Sequence, residues 1–515
     1  MALGFFLGTK YQEGHIGNNA LYFDFGKNNK INRILNIIRK NYVDSINVDS
    51  MENLAINEIL NSLDPHSVYL PPVQAKKQAE NLNGNFEGIG IEYYLLADTL
   101  LVTSVKPEGP SEKAGLLKGD KIIAVNGESL INKGLLATNT VVEKLRGKKG
   151  SQVEVSVLRK GFVAPKKFSI TRDNISMSSI EVSYLINPET AFIKLSKFDT
   201  KTDDDFTRAL ESLKKMGMKN LILDLRGNGG GYLSAATSLA DHFLADKELI
   251  VYTQGLHEPR TDYNATSYGL FEKGRLVILI NEETASASEI VAGAIQDLDR
   301  GIIIGRPSFG KGLVQEQFPF DDGSAMNLTV ARYYTPSGRS IQKSYAKGLK
   351  EFEAKPSADT TVLKKTSLHA FKTAKGRIVY DGSGIVPDYL TPFDTSHYSP
   401  FYRKLKEKSL ISEFIYRFLI EDKMATLYET AEDFSKNYTV KDETLKKLVN
   451  FAKARDVNVS EKDLKISAPK LKAEIKAIVA RFYFREEGFY RAVNPKDSMV
   501  NKALELLGSH ADAFR

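Results

Sequence analysis

The sequence predicts an α/β fold that carries a smaller β-rich module and ends in a helical region. Three observations predict it. Residues 166–390 alternate apolar strand runs with helical stretches, the pattern of a sheet covered by helices. Residues 86–165 break into short strands punctuated by glycine, as small β modules do. From 396 onward the text is Lys/Glu-rich, with apolar stripes at helical spacing. A length of 515 residues allows roughly three domains.

Residues 1–29 are read as an amino-terminal tail. Its apolar start, Met1-Ala2-Leu3-Gly4-Phe5-Phe6-Leu7-Gly8, lacks the charged region and cleavage site of an intact signal peptide. It is either the stub of a longer export or membrane-tethering segment or a disordered terminus. No run of about 18 apolar residues predicts a spanning helix. Residues 30–84 form the amino-terminal helical part of the core. Ile31, Ile34, Leu35, Ile38 and Tyr42 mark one helix face, and Met51, Ala55, Ile59 and Leu63 the next. Leu63-Asp64-Pro65-His66-Ser67 ends that second helix with a proline turn.

Residues 85–165 make the β module. Its strands are Ile91–Tyr94, Leu100–Val105, Gly119–Gly127 closed by an Asn-Gly turn and, last, Val153–Leu158, with short helices at Pro110–Leu116 and Val141–Leu145. Residues 166–395 make the α/β core, with its clearest strands at Leu221–Leu225, Leu276–Ile280 and Gly301–Ile304. Helices begin near Tyr232 and Ser286, and 350–378 reads as a polar insertion. Residues 396–515 form the helical domain, striped by Leu410, Ile411, Phe414, Ile415, Phe418 and Leu419, then by Leu471, Ile475, Ile478 and Phe482. Such stripes bury a core or an interface, so this part either joins copies of the chain or caps a single core.

Composition removes much chemistry. There is no cysteine, which excludes disulfides, thiolate metal sites, Fe–S clusters and a cysteine nucleophile. The seven histidines are scattered, no two within five residues, so no HExxH motif exists. The net charge of +7 is spread along the chain and argues against a nucleic-acid partner. Hydroxyls, carboxylates, lysines and scattered histidines remain.

Three segments stand out. Asp224-Leu225-Arg226-Gly227-Asn228-Gly229-Gly230-Gly231 joins an apolar strand to a helix. It could hold a phosphate, form an oxyanion hole or simply turn the chain. Gly305-Arg306-Pro307-Ser308-Phe309-Gly310-Lys311-Gly312 misses the P-loop, because Gly312 has no hydroxyl and a strand follows it. Thr284-Ala285-Ser286-Ala287-Ser288-Glu289 opens a helix straight after a strand, which exposes a serine at a helix amino terminus. Its base is either a distant histidine or Lys311. Phe309, Leu313 and Val314 would desolvate that lysine and lower its pKa. A neutral lysine can then take the serine proton.

The 86–165 segment resembles a PDZ domain of the bacterial, permuted type. The matching text is Gly88-Ile89-Gly90-Ile91, Ala114-Gly115-Leu116 and Gly119-Asp120-Lys121-Ile122-Ile123-Ala124-Val125-Asn126-Gly127. Glycine-flanked N–H groups there would hold a peptide's carboxylate, and the strand after Gly90 would pair with the peptide. Ile91, Val141 and Leu145 are candidates for the side-chain pocket.

Over roughly 31–395 the chain resembles the carboxyl-terminal processing peptidases, or tail-specific proteases. Leu63–Ser67, Tyr334-Thr335-Pro336-Ser337-Gly338-Arg339-Ser340-Ile341-Gln342 and Gly384-Ile385-Val386-Pro387-Asp388 also match. The resemblance implies a crotonase/ClpP-like protease core with an inserted PDZ domain. It implies Ser286 as nucleophile, Lys311 as general base and Gln315 as the residue orienting that lysine. Gly230 and Ala287 would form the oxyanion hole, with Glu289 and Asp297 supporting. Gly229 stands where the family often has proline. The implied activity is endoproteolysis after capture of a protein's C-terminal tail, with no metal, ATP or other cofactor. The family's export implies a periplasmic or cell-envelope setting. The PDZ module could also cover the active site until a tail displaces it. Two other readings share these features: a silent PDZ scaffold or chaperone, which would bind tails without cutting them, and a crotonase-type acyl-CoA enzyme, which would bind a CoA thioester.

Overall fold

In the computed structural model the described residues are 30–96, 99–130, 138–345, 369–420 and 427–509. The amino-terminal tail and most of the polar insertion therefore lie outside the described residues. The chain divides into two units, Met1–Leu63 and Asp64–Arg515. Among its described residues the first holds two helices, α1 (Lys30–Asn41) and α2 (Val48–Asn61). The Asn47 side chain accepts the Ser50 N–H and starts α2.

The second unit opens with β1 (Val68–Leu70), α3 (Pro72–Leu82) and β2 (Asn85–Gly88). The β module follows as β3 (Ile91–Leu95), β4 (Leu100–Val105), α4 (Pro110–Lys113), β5 (Lys121–Val125), β6 (Glu128–Ser129), α5 (Thr138–Leu145), β7 (Gln152–Leu158) and β8 (Lys166–Thr171). Its sheet order is β3-β4-β5-β7-β8, with β6 beside β5. The strand pattern in the sequence ends at Leu158, whereas the sheet closes with β8. The charged pair Lys166-Lys167 hides a strand whose Ile170 is fully buried. β2 pairs antiparallel with β9 (Asp173–Ser176), so the chain enters and leaves the module side by side.

The core contains β10 (Ile180–Asn187), β11 (Thr190–Leu195), α6 (Thr202–Lys215), β12 (Asn220–Asp224), α7 (Leu233–Asp241), β13 (Leu249–Gln254), β14 (Thr261–Asn264), β15 (Arg275–Ile280), α8 (Ala287–Asp297) and β16 (Ile302–Gly305). After these come β17 (Leu313–Pro319), β18 (Ala325–Tyr334), the hairpin β19 (Ala370–Lys372) and β20 (Ile378–Tyr380), and β21 (Tyr389–Leu390). One sheet runs β10-β11-β12-β15-β16-β21, parallel from β11 onward. A second runs β1-β18-β13-β14, with β17 also on β18.

Both faces of the parallel sheet are covered, which is why its strands read as unbroken apolar runs. Leu221, Leu223 and Ile278 face a core shared with α6, α7 and α8. Ile222, Val277 and Leu279 face Met499, Val500, Ala503 and Leu506. Those four belong to the last of the carboxyl-terminal helices, α9 (Pro400–Glu407), α10 (Leu410–Phe418), α11 (Ala431–Asn437), α12 (Asp442–Lys453), α13 (Glu461–Val493) and α14 (Ser498–Ser509). Residues after 396 thus divide. α9 to α13 bury a core of their own, and α14 completes the core of the α/β sheet.

Candidate active site

Parallel strands β12, β15 and β16 lie side by side, so their carboxyl ends deliver three loops to one crevice. β12 delivers the glycine loop, β15 delivers Ser286 and β16 delivers Lys311. Hydrogen bonds join the three loops. The Asn228 carbonyl accepts Ala285 N at 3.0 Å and the Ser288 hydroxyl at 2.9 Å. Thr284 Oγ1 donates to the Leu225 carbonyl at 3.0 Å, and Phe309 N donates to the Thr284 carbonyl at 2.9 Å.

Ser286 is the N-cap of α8, at φ 54° and ψ −116°. A positive φ is uncommon outside glycine and is sustained only where the surroundings over-determine it. Here they do. Glu289, fully buried, accepts Ser286 N at 2.8 Å and Lys311 N at 2.9 Å on the same carboxylate oxygen. The other oxygen accepts Gly310 N at 2.8 Å and the Ser308 hydroxyl. The hydroxyl of buried Tyr333 donates to the Ser286 carbonyl at 3.2 Å and to the Lys311 carbonyl. The two residues are therefore held by a carboxylate on their amide nitrogens and by a phenol on their carbonyls.

Electrostatics prepares the lysine. Burial pushes the Lys311 pKa below its ordinary value, against the opposing pull of Glu289 and Asp64. Burial also lifts Glu289 to about 7, although four donors act to lower it. Leu313 is buried and Val314 packs on the main core, whereas Phe309 is partly exposed and its ring centroid lies 6.3 Å from that of His66. His66 is held down to about 4, first by desolvation and then by Lys311, so the imidazole beside the lysine is neutral across the ordinary pH range.

The glycine loop closes against the same turn. Gly230 has φ 100°, and a Cβ there would lie 2.8 Å from the Ala285 carbonyl oxygen and 2.9 Å from Ser286 Cβ. Gly230→Ala is therefore expected to lower stability by about 1–3 kcal/mol and to cut turnover at least about tenfold, since small displacements of reacting groups are costly. Thermal melts and steady-state rates on one preparation test this. Ala287 N–H has no hydrogen-bond partner among the described residues and points from the amino end of α8, where the helix dipole favours negative charge. Gly230 N–H donates to Asn228 Oδ1 at 2.9 Å.

The remaining sequence candidates make other contacts. Gln315 follows a register shift between β17 and β18. Its side-chain amide donates to Thr329 Oγ1 at 3.4 Å. Thr329 N in turn donates to Ser67 Oγ, which donates to Asp64. Asp297, at the far end of α8, accepts from Arg339, fully buried, and from Ser337; it anchors the 335–339 turn. The PDZ candidates lie together in that module. Ile89, Val141 and Leu145 belong to its apolar core, Ile91 packs against them, and Gly88 is the last residue of β2. Ile89 and Gly90 are buried, and neither N–H has a hydrogen-bond partner among the described residues.

Sequence reasoning missed Tyr333, Asn228 and Ser308. Tyr333 has a signal in the alternation of β18, which puts Ala331 and Tyr333 inside. The other two sit in irregular loops with no periodic signal.

Family profiles match three parts of the chain. The profile of peptidase family S41 matches residues 189–351, a PDZ domain profile matches 101–159, and a family of unknown function matches 401–485. The carboxy-terminal-processing protease of Bartonella bacilliformis is 37% identical over 310 residues, which are 59% of this chain and 70% of that protein. The carboxy-terminal processing protease CtpB of Bacillus subtilis is 35% identical over 318 residues, or 61% of this chain, and the chain spans 65% of its length. Among solved structures, a photosystem II D1 C-terminal processing protease is 26% identical, with 72% of this chain and 88% of that one covered at a TM-score of 0.37. The chain belongs to peptidase family S41, among its carboxy-terminal processing serine proteases, and carries a PDZ domain.

Proposed function

We propose that the protein is an endopeptidase in which Ser286 attacks the scissile carbonyl, Lys311 is the general base, and the PDZ module captures the substrate's free C-terminus. The observation that carries this is the shared oxygen of Glu289, which holds the Ser286 and Lys311 amides within two hydrogen-bond lengths of each other. Neutral Lys311 takes the Ser286 Oγ proton as Oγ bonds to the carbonyl carbon. The oxyanion meets the Ala287 N–H. Gly230 N–H adds a second donor once it leaves Asn228 Oδ1. Protonated Lys311 then gives its proton to the departing amine, and an acyl-enzyme remains. Water, deprotonated by Lys311, hydrolyses the ester and frees Ser286.

Tail capture is supported by the unpartnered N–H groups of Ile89 and Gly90 in front of the sheet-edge strand β3, a combination suited to carboxylate binding and strand addition. The test uses an unfolded protein with a free apolar C-terminus and the same protein ending in three charged residues. We expect cleavage of the first to be faster by about tenfold or more, seen on gels as a lower KM. Equal rates overturn tail capture. Cleavage that persists in Ser286→Ala overturns the nucleophile.

A further inference from the structure

β3 is an edge of the PDZ sheet, and its two faces differ. Ile91 and Tyr93 pack against the module's core, and Tyr93 also borders the cavity on the other side. Glu92 and Tyr94 face the other way, toward the carboxyl-terminal helices. The Tyr94 ring lies 4.7 Å from that of Tyr416, and its hydroxyl donates to the Ser409 carbonyl. Lys118 Nζ donates to the Phe482 carbonyl at 2.9 Å, and Arg485 donates to the Val105 carbonyl at 3.1 Å. Between β3–β4 and helices α9, α10 and α13 these contacts flank a cavity of about 880 Å³ that opens to solvent.

The cavity is basic on its helical side. Arg403, Lys406, Lys470, Arg481 and Arg485 line it, against the carboxylates of Glu92, Glu407 and Glu474. Glu474 is already taken by Lys406 at 2.7 Å and by the Tyr402 hydroxyl. Arg481 is paired with Glu486. Arg403 and Lys470 have no carboxylate within 4.0 Å among the described residues; Lys470 sits over the Tyr398 ring.

A peptide strand added to β3 would lie about 4.8 Å from it and send alternate side chains to opposite faces. With its carboxylate at Ile89-Gly90, the last residue turns inward, toward the apolar side of the module. The second and fourth residues from the end then turn outward, on the face of Glu92 and Tyr94. We propose that this cavity reads those outward side chains and selects tails with acidic residues at the second and fourth positions from the C-terminus. The helical domain thereby becomes the second wall of the tail site. Complementary charge of this kind sets specificity more than raw affinity.

The inference rests on tail capture by the PDZ module, and the test separates the two. The 515-residue chain carrying Ser286→Ala is titrated with fluorescent decapeptides that share an apolar last residue. One carries Glu at the second and fourth positions from the end, one carries Lys there, and a third is the Glu peptide with a C-terminal amide. We expect the Glu peptide to bind on the order of tenfold tighter than the Lys peptide at low salt, with the gap narrowing as salt is raised. Adding Arg403→Gln and Lys470→Gln should shrink that gap to about threefold or less. Equal binding of Glu and Lys peptides, with the amide still weak, overturns the inference and leaves tail capture standing. An amide that binds as well as its acid overturns tail capture itself, and the inference with it.

Discussion

Ser286→Ala is expected to abolish acyl-enzyme formation, and Lys311→Ala to lower turnover by on the order of 10³-fold or more, with neither variant losing its fold. The magnitude follows from how such pairs work. A serine hydroxyl is a weak nucleophile until a base removes its proton, and members of one catalytic unit are far from additive. The double variant should therefore be no slower than the worse single one. Folding is spared for a local reason. The main-chain bonds of Ser286 and Lys311, to Glu289 and Tyr333, do not use either side chain. Removing the lysine also removes a buried amine that burial already disfavours in its charged form. Labelling by a fluorophosphonate separates the roles: Ser286→Ala should take none, and Lys311→Ala should take it slowly. Wild-type labelling should rise with pH, completing below the ordinary lysine value of 10.5. Near-normal turnover in either single variant would sink the pairing.

Much of this site was legible in the sequence, for physical reasons that also mark what was not. The parallel strands were readable because burial on both faces forces unbroken apolar runs such as Leu221-Ile222-Leu223. The helix after Ser286 was readable as a close-packed helix, and all of α8 is buried. What periodicity cannot report is which distant element covers a face. α14 has an ordinary apolar stripe, yet it fills the second face of the protease sheet, and Asp497 before it grips Arg226 of the glycine loop at 2.7 Å. The Asp64-Pro65-His66-Ser67 turn was likewise readable as a helix stop. Its place beside Lys311 depends on β1 pairing with β18, more than 250 residues away. Gln315 illustrates the same limit. Its position in the chain was evident, but a register shift decides where its side chain goes, and that sends it to Thr329.

Glu289→Gln is the variant that distinguishes positioning from packing. The side chain keeps its size, but the amide offers one acceptor oxygen and one NH₂ group. Four donors now converge on the carboxylate, so two of them would face a nitrogen that cannot accept. Each such buried donor costs about 1–3 kcal/mol. The turn bearing Ser286 or the loop bearing Lys311 must shift to relieve it, and a displacement near 1 Å costs roughly 10²-fold in rate. We therefore expect kcat to fall by about that factor. The pH profile carries the sharper signature. The Glu289 charge holds a proton on Lys311 against the burial that expels it. Without that charge the lysine loses its proton more readily, and the rising limb of kcat moves to lower pH even as the plateau drops. Stability should change in a linked way. Glu289 sits at about 7 in the folded chain against an ordinary 4.5, so the folded state holds the extra proton and wild-type stability declines as pH rises across that window. The Gln variant should lose that decline. A variant that is slower but keeps both the wild-type limb and the wild-type pH dependence of its melting temperature would reduce Glu289 to a packing residue.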